Sequence, residues 1–319
     1  MVLDNSESMN NGIVAIIGCG LMGCGIAQAS SMIINGEFCD MLKSVCLTSG
    51  YIVNLYSRKE ETRINAVAQI RQGLIKNAMK KQKDILSKTD GSGSLIEVID
   101  AQIAKLRICC DIRNAVLDAD YIIEAVVENK DVKESIFIEA QNHCRSNALL
   151  ITNTSSICLS DLLPSMNDRR RFAGLHFFNP VPVMKLVEVV STPETSHETH
   201  SKLIGFCKSL EKQPVSCKDT PGFIVNGLLV PYLLDSIRML ERKDATKEDI
   251  DAAICYGTSC PMGPIALCDY VGLDTISNVM SVWRESMPND SRFSPIPLLD
   301  QLVSEGKLGR KTKQGFYKY

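Results

Sequence analysis

Residues 13–29 read Ile13-Val-Ala-Ile-Ile17, Gly18-Cys-Gly20-Leu21-Met22-Gly23, Cys-Gly, Ile26-Ala-Gln-Ala29. An unbroken apolar run, three glycines spaced G-x-G-x-x-G and a helical pattern are the signature of a strand, a tight turn and a helix that together take a dinucleotide. Gly18 permits the turn, Gly20 lets the backbone approach a pyrophosphate, and Gly23 lets the helix pack close to the strand. Leu21 and Met22 lie between the last two glycines, where the helix N-terminus faces the phosphates. Without its flanking strand and helix, the glycine pattern would carry little information.

Outward from this unit the chain keeps alternating. Tyr51–Tyr56 reads as a second strand, followed by a polar helix over 60–83 and a Gly/Ser break at 90–94. Leu106–Ile108, Tyr121–Val127 and Ala148–Thr152 read as later strands, with helices before and between the last two. The repetition predicts an α/β fold, a Rossmann-type doubly wound sheet with ligands at the carboxyl ends of its strands. Phe172–Phe177 and Lys185–Val190 are two further strand candidates flanking a proline-rich turn. From Pro221 the pattern becomes helical, with long periodic stretches over 223–242 and 247–256. We therefore expect a dinucleotide-binding domain over 1–219 and an all-helical domain over 220–319.

The chain has 319 residues and is 45% hydrophobic, enough for about two domains with sizeable cores. Its net charge of -2 comes from intermixed acids and bases, which argues against nucleic acid or an acidic membrane surface as a partner. Thirteen cysteines fall in no C-x-x-C pair, so reduced thiols are expected, and no metal site is expected. No apolar stretch is long enough for a membrane span. The first residues, Met1-Val-Leu-Asp-Asn-Ser-Glu-Ser, lack the features of a secretory or transit peptide, which makes the cytoplasm the default expectation.

Glu188 puts a carboxylate inside the apolar run Leu186–Val190, where an unpaired charge is costly, so it needs a partner. His176 lies in the neighbouring strand candidate, and a hairpin through Asn179-Pro-Val-Pro182 would bring the two together. A carboxylate behind an imidazole makes an oriented general base, because the acid fixes the tautomer and stabilises the imidazolium. The same pair would also serve as a buried structural contact, and spacing alone does not separate the two.

The chain resembles the L-3-hydroxyacyl-CoA dehydrogenases, in the short-chain, single-function form of fatty-acid β-oxidation. The resemblance rests on Gly18–Gly23, Glu124-Ala-Val-Val-Glu128, Asn153-Thr-Ser-Ser156, the long segment Gly174–Glu188, Pro221-Gly-Phe-Ile-Val-Asn226, Pro261–Pro264, Asp269-Tyr-Val-Gly-Leu-Asp274 and Gly315-Phe-Tyr317. It implies that His176 takes the proton of the substrate 3-hydroxyl as C3 gives hydride to NAD, and that Glu188 holds His176 in place. It implies that Ser155 and Asn226 bind the reacting oxygen and the substrate, with Ser155 also touching cofactor and coenzyme A. Glu128, Lys133, Asn179 and Lys311 match cofactor-contacting positions, and Lys80, on the basic face with Lys76, Asn77 and Lys81, matches a contact to the acyl-CoA. The resemblance further implies a homodimer through the helical domain, and offers the mitochondrial matrix as the alternative location.

Two departures stand out. Where an NAD-binding domain presents an acid to the ribose 2′-hydroxyl, this chain has Ser57-Arg58. A hydroxyl followed by a guanidinium suits a 2′-phosphate, so NADP(H) joins NAD(H) as an expected cofactor. Residues 32–47 read as an insertion, since removing them restores the usual spacing of about twenty residues from the glycines to the ribose position. Two other functions fit parts of the pattern: a dehydrogenase of a free hydroxy or sugar acid, and a non-catalytic, crystallin-like cofactor-binding protein.

Overall fold

A computed structural model describes residues 12–30, 51–85 and 95–319. The insertion read at 32–47 and the Gly/Ser break at 90–94 lie outside the described residues. By its internal contacts the chain divides into two units, Met1–Asp219 and Thr220–Tyr319.

The first unit is built on an eight-stranded sheet in the order β3-β2-β1-β4-β5-β6-β7-β8. The strands are β1 (Ile13–Ile17), β2 (Ile52–Tyr56), β3 (Leu106–Cys109), β4 (Tyr121–Glu124), β5 (Leu149–Thr152), β6 (Phe172–Phe177), β7 (Leu186–Ser191) and β8 (Gln213–Lys218). Every neighbouring pair is parallel except β6 and β7. A parallel strand covered on both faces has no solvent side, which explains why β1 is apolar throughout, with Val14 to Ile17 buried. The helices α1 (Leu21–Ser30), α2 (Glu60–Ile85), α3 (Leu95–Ile103), α4 (Ile112–Val116), α5 (Lys130–Gln141), α6 (Leu159–Leu162) and α7 (His197–Ser209) run between the strands. Caps set their starts where the sequence offers them: Asn129 accepts from Val132 N ahead of α5, and Ser196 accepts from Thr199 N ahead of α7.

Two features of the sheet differ from the sequence reading. The strand expected over 121–127 stops at Glu124, because the Glu124 carboxylate accepts the Val126 N–H at 2.7 Å. The close approach of Gly18 to the Ala125 carbonyl uses the same turn. β8 was not foreseen. It is a polar, mostly exposed strand carrying Pro214, and it lies at the sheet edge, where a residue without an N–H is tolerated.

The second unit is all helical: α8 (Val225–Glu241), α9 (Lys247–Thr258), α10 (Pro264–Val271), α11 (Leu273–Ser286) and α12 (Pro297–Ser304). They enclose a core of Leu233, Leu234, Ile237, Ile265, Leu273, Met280, Trp283 and Leu299. Asp251 caps α10 by accepting from Ile265 and Ala266 N–H. The chain end folds back onto Asp269, whose buried carboxylate accepts from Phe316 N, Tyr317 N and the Tyr319 hydroxyl. The motifs Asp269–Asp274 and Gly315–Tyr317 thus meet each other. Among the described residues no helix is long and apolar enough to cross a membrane.

Candidate active site

The sheet register decides which residues of the first unit meet. Ile17 pairs with Tyr56 on one side and Glu124 on the other, Glu124 with Thr152, and Thr152 with Gly174. The parallel strands therefore end together. Their carboxyl edge carries Gly18 to Gly23 after β1, Ser57 and Arg58 after β2, Glu128 after β4, Ser155 after β5 and His176 near the end of β6.

At the glycine turn, Gly18 has φ +120°, and a Cβ there would overlap the Ala125 carbonyl. A Cβ at Gly23 would overlap the Gly18 carbonyl oxygen, whereas one at Gly20 would meet no atom of the described residues within 4 Å. Two glycines are thus required by packing, and Gly20 faces open space. A turn closed behind and open in front, opposite a helix start at Leu21, fits the pyrophosphate of a dinucleotide. Met22 packs partly buried on the sheet core.

His176 and Glu188 are directly opposed across the antiparallel β6–β7 pair. His176 Nδ1 lies 2.6 Å from Glu188 Oε2, with Glu188 fully buried and the imidazole nearly so. A carboxylate can only accept, so Nδ1 carries the proton and the basic lone pair is on Nε2. The Phe178 ring lies against the imidazole, centroids 4.5 Å apart. The loop after Phe178 carries the exposed Asn179. Buried Lys212 donates to the carbonyls of Val181 (2.5 Å) and Met184 (2.9 Å) in that loop, and burial lowers its pKa.

Beside this pair lies a charge network that sequence reasoning named only in part. Lys133, in the first turn of α5, is buried between two carboxylates: its Nζ is 2.7 and 2.9 Å from Glu124 and 3.2 Å from Glu128. Glu124 is fully buried and also accepts from the Thr152 hydroxyl at 2.7 Å. Glu128 accepts from the Thr154 hydroxyl at 2.6 Å, from Ser155 N and Ser156 N at 2.9 Å, and from the Ser156 hydroxyl at 2.9 Å. Burial alone would raise the Glu128 pKa, but the Lys133 ammonium and these donors outweigh it and hold the carboxyl at about 2. The Ser155 backbone is thereby pinned, while its exposed hydroxyl lies 3.5 Å from Glu128, too far for a strong hydrogen bond. Asn153 ties the strand ends together by accepting from Phe177 N at 3.0 Å. The roles of Glu124 and Thr154 were not foreseen. An acid inside the apolar run Tyr121–Val127 was the available signal, the same one that singled out Glu188.

Ser57 and Arg58 follow β2 as expected, half-buried and exposed respectively. A residue the sequence reading passed over joins them. Arg63, in the first turns of α2, donates through Nη1 to the Ser57 carbonyl at 2.6 Å and the Arg58 carbonyl at 3.3 Å. Lys80 belongs to α2, but its side chain lies outside what the structure describes. In the helical unit, Asn226 is half-buried in the first turn of α8, and the exposed Lys311 pairs with Asp274.

Comparison with known proteins matches the NAD binding domain of 3-hydroxyacyl-CoA dehydrogenase over residues 13–220 and its C-terminal domain over residues 222–319. The chain is 44% identical over 306 residues to a probable 3-hydroxyacyl-CoA dehydrogenase of Caenorhabditis elegans, covering 96% of this chain and 95% of the relative. It is 42% identical to the mitochondrial hydroxyacyl-coenzyme A dehydrogenase of Rattus norvegicus, covering 96% and 90%. Among solved structures it superposes on FadB2 of M. tuberculosis with a TM-score of 0.80 at 34% identity, covering 97% and 99%. On the (S)-3-hydroxybutyryl-CoA dehydrogenase of Ralstonia eutropha the TM-score is 0.82 at 32% identity, covering 96% and 98%.

Proposed function

The chain belongs to the 3-hydroxyacyl-CoA dehydrogenase family, and from that premise we propose how its residues divide the work. It is an NAD-dependent oxidoreductase that interconverts 3-hydroxyacyl-CoA and 3-oxoacyl-CoA in β-oxidation. NAD supplies the hydride acceptor. In our reading, His176 Nε2 takes the proton of the 3-hydroxyl while the C3–H leaves as hydride, so that the C–O bond becomes a carbonyl. In reduction the same nitrogen returns the proton. Glu188 is the positioning residue that keeps the Nδ1 proton in place and stabilises the imidazolium. The 2.6 Å cross-strand contact between them carries this assignment.

The hydroxyl of Ser155 and the amide of Asn226 are the proposed donors to the reacting oxygen, as their chemistry allows. Gly18, Gly20, Leu21, Met22 and Gly23 hold the pyrophosphate. Glu128, Lys133, Asn179 and Lys311 are assigned to the remainder of the cofactor, and Lys80 and Ser155 to coenzyme A. Ser57 and Arg58 are read as admitting NADP(H) beside NAD(H), because no carboxylate at that position would repel a 2′-phosphate. The wild-type preference between 2′,5′-ADP and 5′-AMP tests that reading, and equal affinity removes it. We also propose a homodimer through the helical unit, where Leu228, Tyr256 and Tyr270 are exposed apolar groups.

The general-base assignment is tested with His176→Gln. The variant should bind NADH, followed by its fluorescence, and lose about 10²- to 10⁴-fold in kcat. Turnover within a few-fold of wild type would remove His176 from the role of base.

A further inference from the structure

The loop after β2 and the first turn of α2 carry an excess of cations. Over residues 58–63, Arg58, Lys59 and Arg63 stand against Glu60 and Glu61. Among the described residues, neither Arg58 nor Arg63 makes an ion pair with a carboxylate. The two guanidinium groups differ in how they are held. The Arg58 side chain is exposed and makes no hydrogen bond among the described residues. Arg63 is half-buried and is fixed through Nη1 to the Ser57 and Arg58 carbonyls, at 2.6 and 3.3 Å.

These contacts use one nitrogen of the Arg63 fork and leave Nη2 and Nε without a partner among the described residues. The side chain also lies near the glycine turn. Its charge acts on the Cys19 thiol between Gly18 and Gly20, and the Ser57 side chain lies close to that same thiol. Burial comes first among the effects on Cys19 and pushes its pKa up to about 12, so the group facing Arg63 is a neutral thiol and not a counter-anion. An anchored guanidinium with an open edge, beside a hydroxyl and at the ribose end of a dinucleotide turn, matches a phosphate monoester on the adenosine ribose.

We infer that Arg63 is the specificity-determining residue for the cofactor, with its anchored fork holding the 2′-phosphate of NADP(H) and Arg58 adding only an exposed charge. This rests on the NADP(H) reading of Ser57 and Arg58 and deepens it by moving the decisive contact five residues along the chain. A pre-positioned guanidinium loses little side-chain freedom on binding, whereas an exposed one must be ordered in the complex.

The experiment is calorimetric titration of the full chain with 2′,5′-ADP and with 5′-AMP, which lacks only the 2′-phosphate, for wild type, Arg58→Ala and Arg63→Met. One charge-assisted, bidentate contact corresponds to about a ten- to hundred-fold preference for 2′,5′-ADP in wild type. Arg63→Met should reduce that preference to about two-fold or less, and Arg58→Ala should lower it only a few-fold. A wild-type chain with no preference overturns both this inference and the NADP(H) reading. If Arg58→Ala abolishes the preference while Arg63→Met keeps it, the reading stands and the inference falls. If Arg63→Met weakens both probes equally, Arg63 is a loop brace only, and the inference again falls. Should Arg63→Met melt below wild type, Arg63→Lys retains the charge without the fork. A preference unchanged in Arg63→Lys overturns the account, and one that falls supports it.

Discussion

At the scale of single residues, the site depends on carboxylates held by fixed partners, with Glu188 and Glu124 placed where water does not reach and Glu128 partly exposed. Glu188 was legible in the sequence because an acid in an apolar strand needs a partner, and His176 is the residue the register supplies. Glu124 carries the same signal and holds Lys133 in the same way. Glu128 has a measurable consequence. In the unfolded chain it takes up a proton near the ordinary carboxyl value of about 4.5, but in the folded chain only near 2. Between those values the unfolded state binds more protons, so stability rises with pH through the window. The contribution is complete above about 4.5 and is lost as pH falls towards 2. Urea unfolding of wild type and Glu128→Gln over this range should show a shallower slope in the variant. Parallel slopes would mean that Glu128 is not held in its ionised form by the network.

At the scale of elements, α5 is fastened to β4 and β5 through that network, and the loop carrying Ser155 is fastened to both. Removing one partner of a buried pair leaves the other charge without compensation. Glu124→Gln should therefore cost about 3–5 kcal/mol in unfolding free energy, more than a surface carboxylate at under about 1 kcal/mol. A loss of a few tenths would show that Lys133 finds adequate partners in Glu128 and the local hydroxyls. The same elements mark what could be read beforehand. Apolar runs and glycine spacing expose β1, β2, β4, β5 and the β6–β7 hairpin, because those strands are buried and their side chains record it. β8 is polar, edge-placed and interrupted by Pro214, so its strand character comes from pairing with β7 rather than from its own residues. Arg63 was hidden for a related reason: a cation in the first turns of a polar helix reads as solvated until the backbone carbonyls it binds are placed. The end of β4 was misjudged because Val126 and Val127 continue the apolar pattern, while the Glu124 side chain takes the next backbone donor.

At the scale of the whole molecule, the sheet brings the glycine turn, the charge network and the His176–Glu188 pair to one edge. The helical unit has its own core and fastens the chain end on Asp269. Sedimentation equilibrium should return twice the mass of the chain if that unit forms the proposed dimer, and a single-chain mass would contradict it. This edge works on a thioester of coenzyme A and not on a free acid. Binding energy from the distant coenzyme A moiety is what raises the rate at C3, so a truncated substrate should lose more than affinity. The most direct measurement is kcat/KM for NADH-dependent reduction of acetoacetyl-CoA and of free acetoacetate by the same preparation. The expected result is a preference for the thioester of about a thousand-fold, equivalent to about 4 kcal/mol in the transition state. Equal values for the two substrates, or reduction of acetoacetate alone by the folded protein, would contradict it.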